Sequence, residues 1–402
     1  MRTIIFIGTQ KSGSSREAIR VAEKMGYYTI LFTNSHKQLR QRFEYPDVHL
    51  MKFCNFERLN ELKEMIENLQ NTGLKIEAII SFTNNLCYIA NKLASELSLN
   101  HFTLEGIQNM ENKIYSRLSI RDTPYCPNFM ILEPKKDYPN INIDFPAVLK
   151  APSSAGSKDV YKIFNIIDLN DRLNLLRKKY PYEPIILEEY LDGNQYLTEV
   201  LVIDGKVYII AIIEQEISYI NNHFIVTGYY LIPEKPSYYN KLYRALETIV
   251  KQHKLHFGPC HLELRLINGK WKLVEINPRI SGGAMNELIE LGTGINLVEQ
   301  TLKLVLNKKI DITPKYKKHV YTKYLTADQK GILEKITGVS KATNSQDVLS
   351  IYVKPRKGNI LNLPESMGNR YAYVIATGND RIEAKENAIN AIENIKFHLR
   401  KE

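Results

Sequence analysis

The chain has 402 residues, 44% apolar and 24% charged, with 54 Lys and Arg against 44 Asp and Glu for a formal net charge of +10. That length predicts two or three domains with ample core, and the composition excludes collagen-like and disordered chains. The longest apolar run, Val207 to Ile213, falls far short of the roughly 20 residues that span a bilayer, which argues against an integral membrane protein.

The N-terminal apolar stretch is too short for a secretory signal and reads as a first strand, so a cytoplasmic protein is expected. Thr3 to Ile7 is that strand. A helix follows with Ala18, Ile19, Ala22 and Met25 on one stripe, and Gly26 stops it. Tyr28 to Thr33 and Glu77 to Phe82 read as strands, Glu57 to Leu69 and Leu86 to Leu97 as helices. This alternation predicts βαβ units around a parallel sheet. Gly8 to Ser15 resembles a phosphate loop only superficially. Ser14 stands where that motif needs Lys, so the segment is expected to be a tight turn lining a cleft.

From about Lys113 the texture changes. Asp122 to Pro127 reads as a connector, after which strands dominate: Ala147 to Lys150, Ile185 to Glu188, Leu197 to Ile203, Val207 to Ile213, Phe224 to Leu231, His261 to Ile267 and Trp271 to Ile276. Helices are expected at about 168–179, 237–254 and 285–306. After Pro314 a small third domain is expected, ending in a helix from Arg381 to Leu399. The four cysteines form no CxxC pair and read as buried thiols. The basic charge has no aromatic-interleaved motif beside it, so a cleft for anionic ligands is expected rather than a nucleic-acid surface.

The hairpin from His261 to Arg279 carries the strongest chemical signal. Strand alternation sets Leu262, Leu264 and Leu266 on one face and His261, Glu263 and Arg265 on the other. For Glu275 and Asn277 to share the face of Glu263, an odd number of loop residues is needed. A three-residue turn with a bulge is therefore predicted, with Gly269 at positive φ. Two carboxylates and an amide oxygen converging beside an arginine suit Mg²⁺ on nucleotide phosphates. Upstream, Lys150 ends a strand and leads into the small-residue loop Ser153 to Ser157, whose backbone can approach phosphate oxygens. A buried strand, Ile185 to Glu188, then runs into the polar segment Glu189 to Gln195.

In this order the three segments resemble the ATP-grasp superfamily of carboxylate–amine ligases, in its biotin-carboxylase-like branch. The resemblance covers about residues 105–300 directly. It implies an α/β and α+β architecture. Residues 1–110 would form a Rossmann-like pre-ATP-grasp domain and 111–310 the ATP-grasp domain, with a nucleotide lid at about 125–192 and a central sheet at 193–310. Residues 311–402 would form a C-terminal lobe. The resemblance also implies that Lys113 and Lys150 contact phosphates, and that Ser153, Ser154, Gly156 and Ser157 belong to the flap over them. Glu188, Glu189, Tyr190 and Leu191 would hold adenine. Gln195 stands where the family usually has the ribose-binding Glu. Glu263, Glu275 and Asn277 match the magnesium ligands, with Mn²⁺ also admissible, and Arg279 matches the cation that steadies the transferring phosphoryl group.

The run Gly258 to Glu263, with Arg279 leading into Ser281, Gly282 and Gly283, resembles the L-amino acid ligases. That resemblance implies ATP-driven joining of two amino acids through an acyl phosphate, with ADP and phosphate released. The amides of Ser281, Gly282 and Gly283 would then hold the acyl phosphate or a carboxylate. His223, Glu214 and Glu216 are further candidates for substrate contact. A purine-pathway or biotin-carboxylase-like ligase is the alternative, and a non-catalytic nucleotide-binding module a remote one. The expected partners are small-molecule amino acids, with neither nucleic acid nor membrane; many relatives dimerise, so a homodimer is compatible.

Overall fold

The computed structural model describes residues 1–134, 136, 138, 141–151, 156 and 158–401. The first sheet is parallel, with strands β1 (Arg2–Ile7), β2 (Tyr28–Thr33), β3 (Leu50–Phe53) and β4 (Lys75–Ile80) in the order β3-β2-β1-β4. Five consecutive residues of β1 are buried, as a strand covered on both faces requires. The helix Ser14–Lys24 buries Ala18, Ile19 and Ala22 as its spacing predicts. Strand β3 was not anticipated, because its four residues are half-buried or exposed and do not alternate.

The second sheet is an antiparallel layer of β5 (Phe129–Leu132), β6 (Ala147–Lys150), β7 (Val160–Ile163) and β8 (Ile185–Glu189), ordered β5-β8-β6-β7. The helix Ile166–Lys179 covers it through Leu169 and Leu176. The chain then builds β9 (Asn194–Ile203), β10 (Lys206–Ile220), β11 (His223–Leu231), β12 (Gly258–Ile267), β13 (Lys270–Asn277), β14 (His319–Thr326), β15 (Gly331–Thr337), β16 (Val348–Val353), β17 (Ile360–Leu361), β18 (Arg370–Gly378) and β19 (Lys396–Arg400). Eight of these form the central sheet, ordered β13-β12-β9-β10-β11-β14-β18-β16. The last hundred residues therefore extend that sheet by three strands. Strands β17, β15 and β19 form a separate small sheet. One apolar core joins the first domain to the middle of the molecule, with Ala18 and Ile19 in the same cluster as Leu288 and Leu302.

Three local expectations need correction. The helix expected at 285–306 is two helices, Met285–Thr293 and Leu297–Val305. Gly294 in the left-handed region ends the first, and the Asn296 side chain caps the second. The terminal helix covers only Arg381–Ile392, and Lys396–Arg400 pairs as a strand with β15. Phe397 and Leu399 follow a period of two there, whereas Ala384, Ala388 and Ala391 follow a helical one. The hairpin between β12 and β13 turns on two residues, Asn268 and Gly269, because Ile267 pairs with Lys270. Both have positive φ, 48° and 75°, as a type I′ turn demands. The odd residue comes instead from Val274, a bulge inside the ladder.

All four cysteines are buried and unpaired. Among the described residues, no helix is long and apolar enough to cross a membrane.

Candidate active site

The hydrogen-bonded neighbours β9, β12 and β13 present one polar face. Register sets Glu199, His261 and Asn277 in one row, Glu263 opposite Glu275 in the next, and Gln195 opposite Arg265 beyond. Their opposite face holds Leu262, Leu264, Trp271, Leu273 and Ile276 in the core. A single cleft runs between this polar face and the β5–β8 layer, and Lys113, Lys150, Glu263, Glu275, Asn277 and Arg279 all line it. The proximity of Glu263 and Glu275 to Lys150, on which the functional expectation hangs, is therefore present.

The carboxyls of Glu263 and Glu275 face each other. Burial, followed by the charge of Glu275, raises the pKa of Glu263. Burial would raise Glu275 too, but Lys113, Lys150 and other neighbours hold it below the usual carboxylate range. One acid is thus pushed toward its protonated form where two like charges meet. A divalent cation would remove that penalty, so the donor set of two carboxylates and the Asn277 amide fits a hard metal ion. Among the described residues no group of three His, Cys, Asp or Glu could hold a metal, so the third side-chain donor here is the amide. Lys113 Nζ lies 3.6 Å from Glu275 Oε1.

Lys150 is held by Glu188, with Nζ to Oε2 at 2.6 Å. Glu188 also binds the Arg117 guanidinium at 2.6 and 3.2 Å, and Arg117 donates to the Val274 carbonyl at 2.5 Å. The bulge carbonyl, Arg117, Glu188 and Lys150 thus form one chain. Burial would raise the Glu188 pKa, yet Arg117 and Lys150 hold it at about 2. Glu188 lines the cleft, and its side chain positions Lys150. Glu189 likewise turns to the Asn128 amide at 2.9 Å and Lys272 at 3.7 Å. Tyr190 and Leu191 line the cleft, with Lys162 3.7 Å from the Tyr190 ring centroid and the Leu191 carbonyl accepting from Arg265.

Gln195 lines the cleft. Its amide donates to Gln215 and Glu263 at 2.6 and 3.0 Å and accepts from Arg265 at 2.9 Å, so its polar atoms are engaged within the sheet. Ser281 commits its amide and hydroxyl to Glu199, and its carbonyl accepts from Ser14 Oγ, so that amide cannot hold an acyl phosphate. Gly282 and Gly283 are exposed. A Cβ on Gly13 would lie 2.7 Å from the Gly283 nitrogen, which explains glycine in the first-domain turn. Glu214 pairs with Arg381 at 2.8 Å, and Glu216 pairs with Lys323 and Lys385 at 2.9 and 2.5 Å. Both fasten the C-terminal lobe and do not face the cleft. His223 sits at the tip of the β10–β11 hairpin beside Tyr161, outside the cleft lining. The flap residues Ser153, Ser154 and Ser157 lie outside the described residues. Gly156 lines the cleft, and its carbonyl accepts from the Met367 amide at 3.4 Å.

Arg279 lines the cleft and donates to Asn84 of the first domain and to the Ile280 carbonyl. Burial lowers its pKa, opposed by Cys87, Glu199, Glu275 and Glu111. Burial also raises Glu199 and Glu111 to about 7. Asn84, Arg117, Glu111, Glu199 and Met367 were missed from sequence. Only Glu199 left a signal, as an acid inside an otherwise apolar strand.

Residues 143–287 match a family model described as an ATP-grasp domain, and residues 323–400 match one described as L-amino acid ligase C-terminal domain 2. The chain is 23% identical over 262 residues to an uncharacterised protein of Sinorhizobium fredii, across 64% of this chain and 54% of that protein, so it spans about half of that relative's length. It is 18% identical over 317 residues to the L-arginine-specific L-amino acid ligase of Bacillus subtilis, across 77% of this chain and 76% of that one. The solved structure of an L-amino acid ligase from Bacillus licheniformis superposes with a TM-score of 0.84 at 18% identity, over 100% of this chain and 99% of that one.

Proposed function

The chain belongs to the ATP-grasp superfamily, and on that premise we propose that it is an ATP-dependent carboxylate–amine ligase joining two L-amino acids. The observation that carries the reading is the cleft that gathers Lys113, Lys150, Glu263, Glu275, Asn277 and Arg279. The match of residues 323–400 to the L-amino acid ligase domain favours this chemistry over a purine-pathway or carboxylase reading.

Lys113 and Lys150 hold the triphosphate, while Tyr190, Leu191 and the apolar Val148, Ile217 and Phe224 enclose the base. Glu263, Glu275 and Asn277 would hold Mg²⁺, which supplies positive charge to the phosphate oxygens. One substrate carboxylate oxygen bonds to the γ-phosphorus as the bond to the bridging oxygen breaks, and ADP leaves. Arg279 offsets the negative charge that spreads over the transferring group. The amine of the second substrate then attacks the acyl carbon, the bond to phosphate breaks, and the amine gives up a proton as the amide forms. Gly282 and Gly283 allow close approach of backbone to the acyl phosphate. Water must be kept from that intermediate, which it otherwise hydrolyses.

Incubation with Mg²⁺, ATP, hydroxylamine and pooled amino acids tests the reading. Hydroxamate with ADP and phosphate is expected; AMP with pyrophosphate would exclude an acyl-phosphate route.

A further inference from the structure

The C-terminal lobe brings an arginine up behind the cleft lining, where it feels the charge of Glu263 but hydrogen-bonds to no carboxylate. Arg370 opens β18, half-buried, with its guanidinium carbon 3.9 Å from the Tyr324 ring centroid and 5.8 Å from that of Tyr229. Its hydrogen bonds are long and all go to neutral acceptors: the Met367 carbonyl at 3.3 Å, the Val226 carbonyl at 3.3 Å and the Tyr229 hydroxyl at 3.4 Å. Charge-assisted bonds to a carboxylate are typically about 2.7 to 2.9 Å, and a guanidinium offers five donors. Glu287 of the neighbouring helix is engaged elsewhere, by the Tyr373 and Ser350 hydroxyls. Beside this cation the Tyr324 hydroxyl is buried without a hydrogen-bond partner. That oxygen lies 3.7 Å from where a Cβ on Gly283 would stand. Two of the groups touching Arg370, Tyr229 and Met367, line the cleft itself.

An under-bonded cation next to an unsatisfied donor describes a place for an anion. The proposed reaction has three anionic groups to hold. Lys113 and Lys150 face the triphosphate, and the first substrate's carboxylate is consumed at Arg279. The carboxylate of the second amino acid stays intact throughout and needs a counter-ion of its own. We propose that Arg370 and the Tyr324 hydroxyl bind the carboxylate of the amine-donating amino acid, directing its amine toward the acyl carbon beside Gly283. This rests on the ligase reading above and assigns the C-terminal lobe the choice of nucleophile.

The test compares two nucleophiles on one activated acid: the second amino acid, and hydroxylamine, which has no carboxylate. Arg370→Gln should raise the KM for the amino acid about tenfold to a hundredfold, as expected for losing a charged hydrogen-bond pair. The KM for ATP and the hydroxamate rate should change much less. Tyr324→Phe, which removes one oxygen and keeps the ring, should raise the same KM by about threefold to tenfold. The amino acid's carboxamide analogue should serve wild type and Arg370→Gln equally poorly. An unchanged amino-acid KM in both variants, or a parallel loss of hydroxamate and of ATP affinity, overturns this assignment while leaving the ligase reading intact. Absence of hydroxamate from the wild-type enzyme overturns the ligase reading and this inference with it.

Discussion

Glu263 stands directly opposite Glu275 across β12 and β13, although the turn joining those strands has only two residues. The bulge at Val274 makes this alignment compatible with a type I′ turn, and so keeps both acids on the cleft side. Replacing Glu275 by Gln retains the shape and removes one of the two repelling charges. Turnover should fall by at least about a hundredfold if that charge holds the metal ion. The melting temperature should stay level or fall, because the lowered pKa of Glu275 means that Lys113 and Lys150 stabilise its charge by more than Glu263 opposes it. ADP release and a thermal melt on the same preparation check both halves; full activity would remove the metal assignment.

Arg117 links the bulge to the phosphate side of the cleft. Arg117→Met would leave Glu188 buried with Lys150 as its remaining ionic partner, a loss expected to cost about 3 to 5 kcal/mol. Lys150 would also be drawn more firmly to Glu188, so the KM for ATP should rise. Adding Glu188→Gln should recover only part of the stability, since it removes the under-paired carboxylate but takes from Lys150 its ionic partner. Urea unfolding of the single and double variants measures the coupling. Additive losses would mean the two residues act independently.

Stability should depend on pH through His253, which is fully buried between Ser116 Oγ at 2.9 Å and the Ile249 carbonyl at 2.8 Å. Burial lowers its pKa to about 4 from the ordinary 6.5. Between those values the unfolded chain binds a proton that the folded chain refuses. Stability is therefore complete above about 6.5 and falls as the pH drops toward 4. The full span corresponds to about 3 kcal/mol. His261, lowered to about 3 by burial, adds loss in the same window. His253→Gln should reduce the drop in urea midpoint between pH 7 and pH 5 without abolishing it; an unchanged drop would count against this account.

The hairpin's chemistry was legible because period-two alternation fixes which side chains share a face. Its turn was not, since a two-residue turn with an internal bulge and a three-residue turn give the same parity. The side-chain partners of Glu188 and Gln195 were not legible, for a different reason. Local sequence shows a polar residue after a buried strand, but the partners that engage it, Arg117 and Arg265, lie about 70 residues away. Glu214 and Glu216 failed similarly, because their cations come from the C-terminal lobe. Arg370 has no local signal at all, for its meaning depends on Tyr324, Tyr229 and Gly283 meeting in space.

Arg279 offers the sharpest separation between binding and chemistry. It reaches to Asn84 in the first domain, whereas Lys113 and Lys150 meet Glu275 and Glu188. A cation placed for the transferring phosphoryl group acts mainly in the transition state, so Arg279→Ala should lower kcat by about a hundredfold to a thousandfold. The KM for ATP should change by less than about threefold. Asn84→Ala leaves the charge and removes the group that aims it, so kcat should fall by only about tenfold, again with little effect on ATP. Steady-state kinetics with ATP varied at a saturating acid substrate separates these outcomes. A large rise in KM with kcat preserved would move Arg279 to the ground-state nucleotide site and leave the phosphoryl-transfer step without its cation.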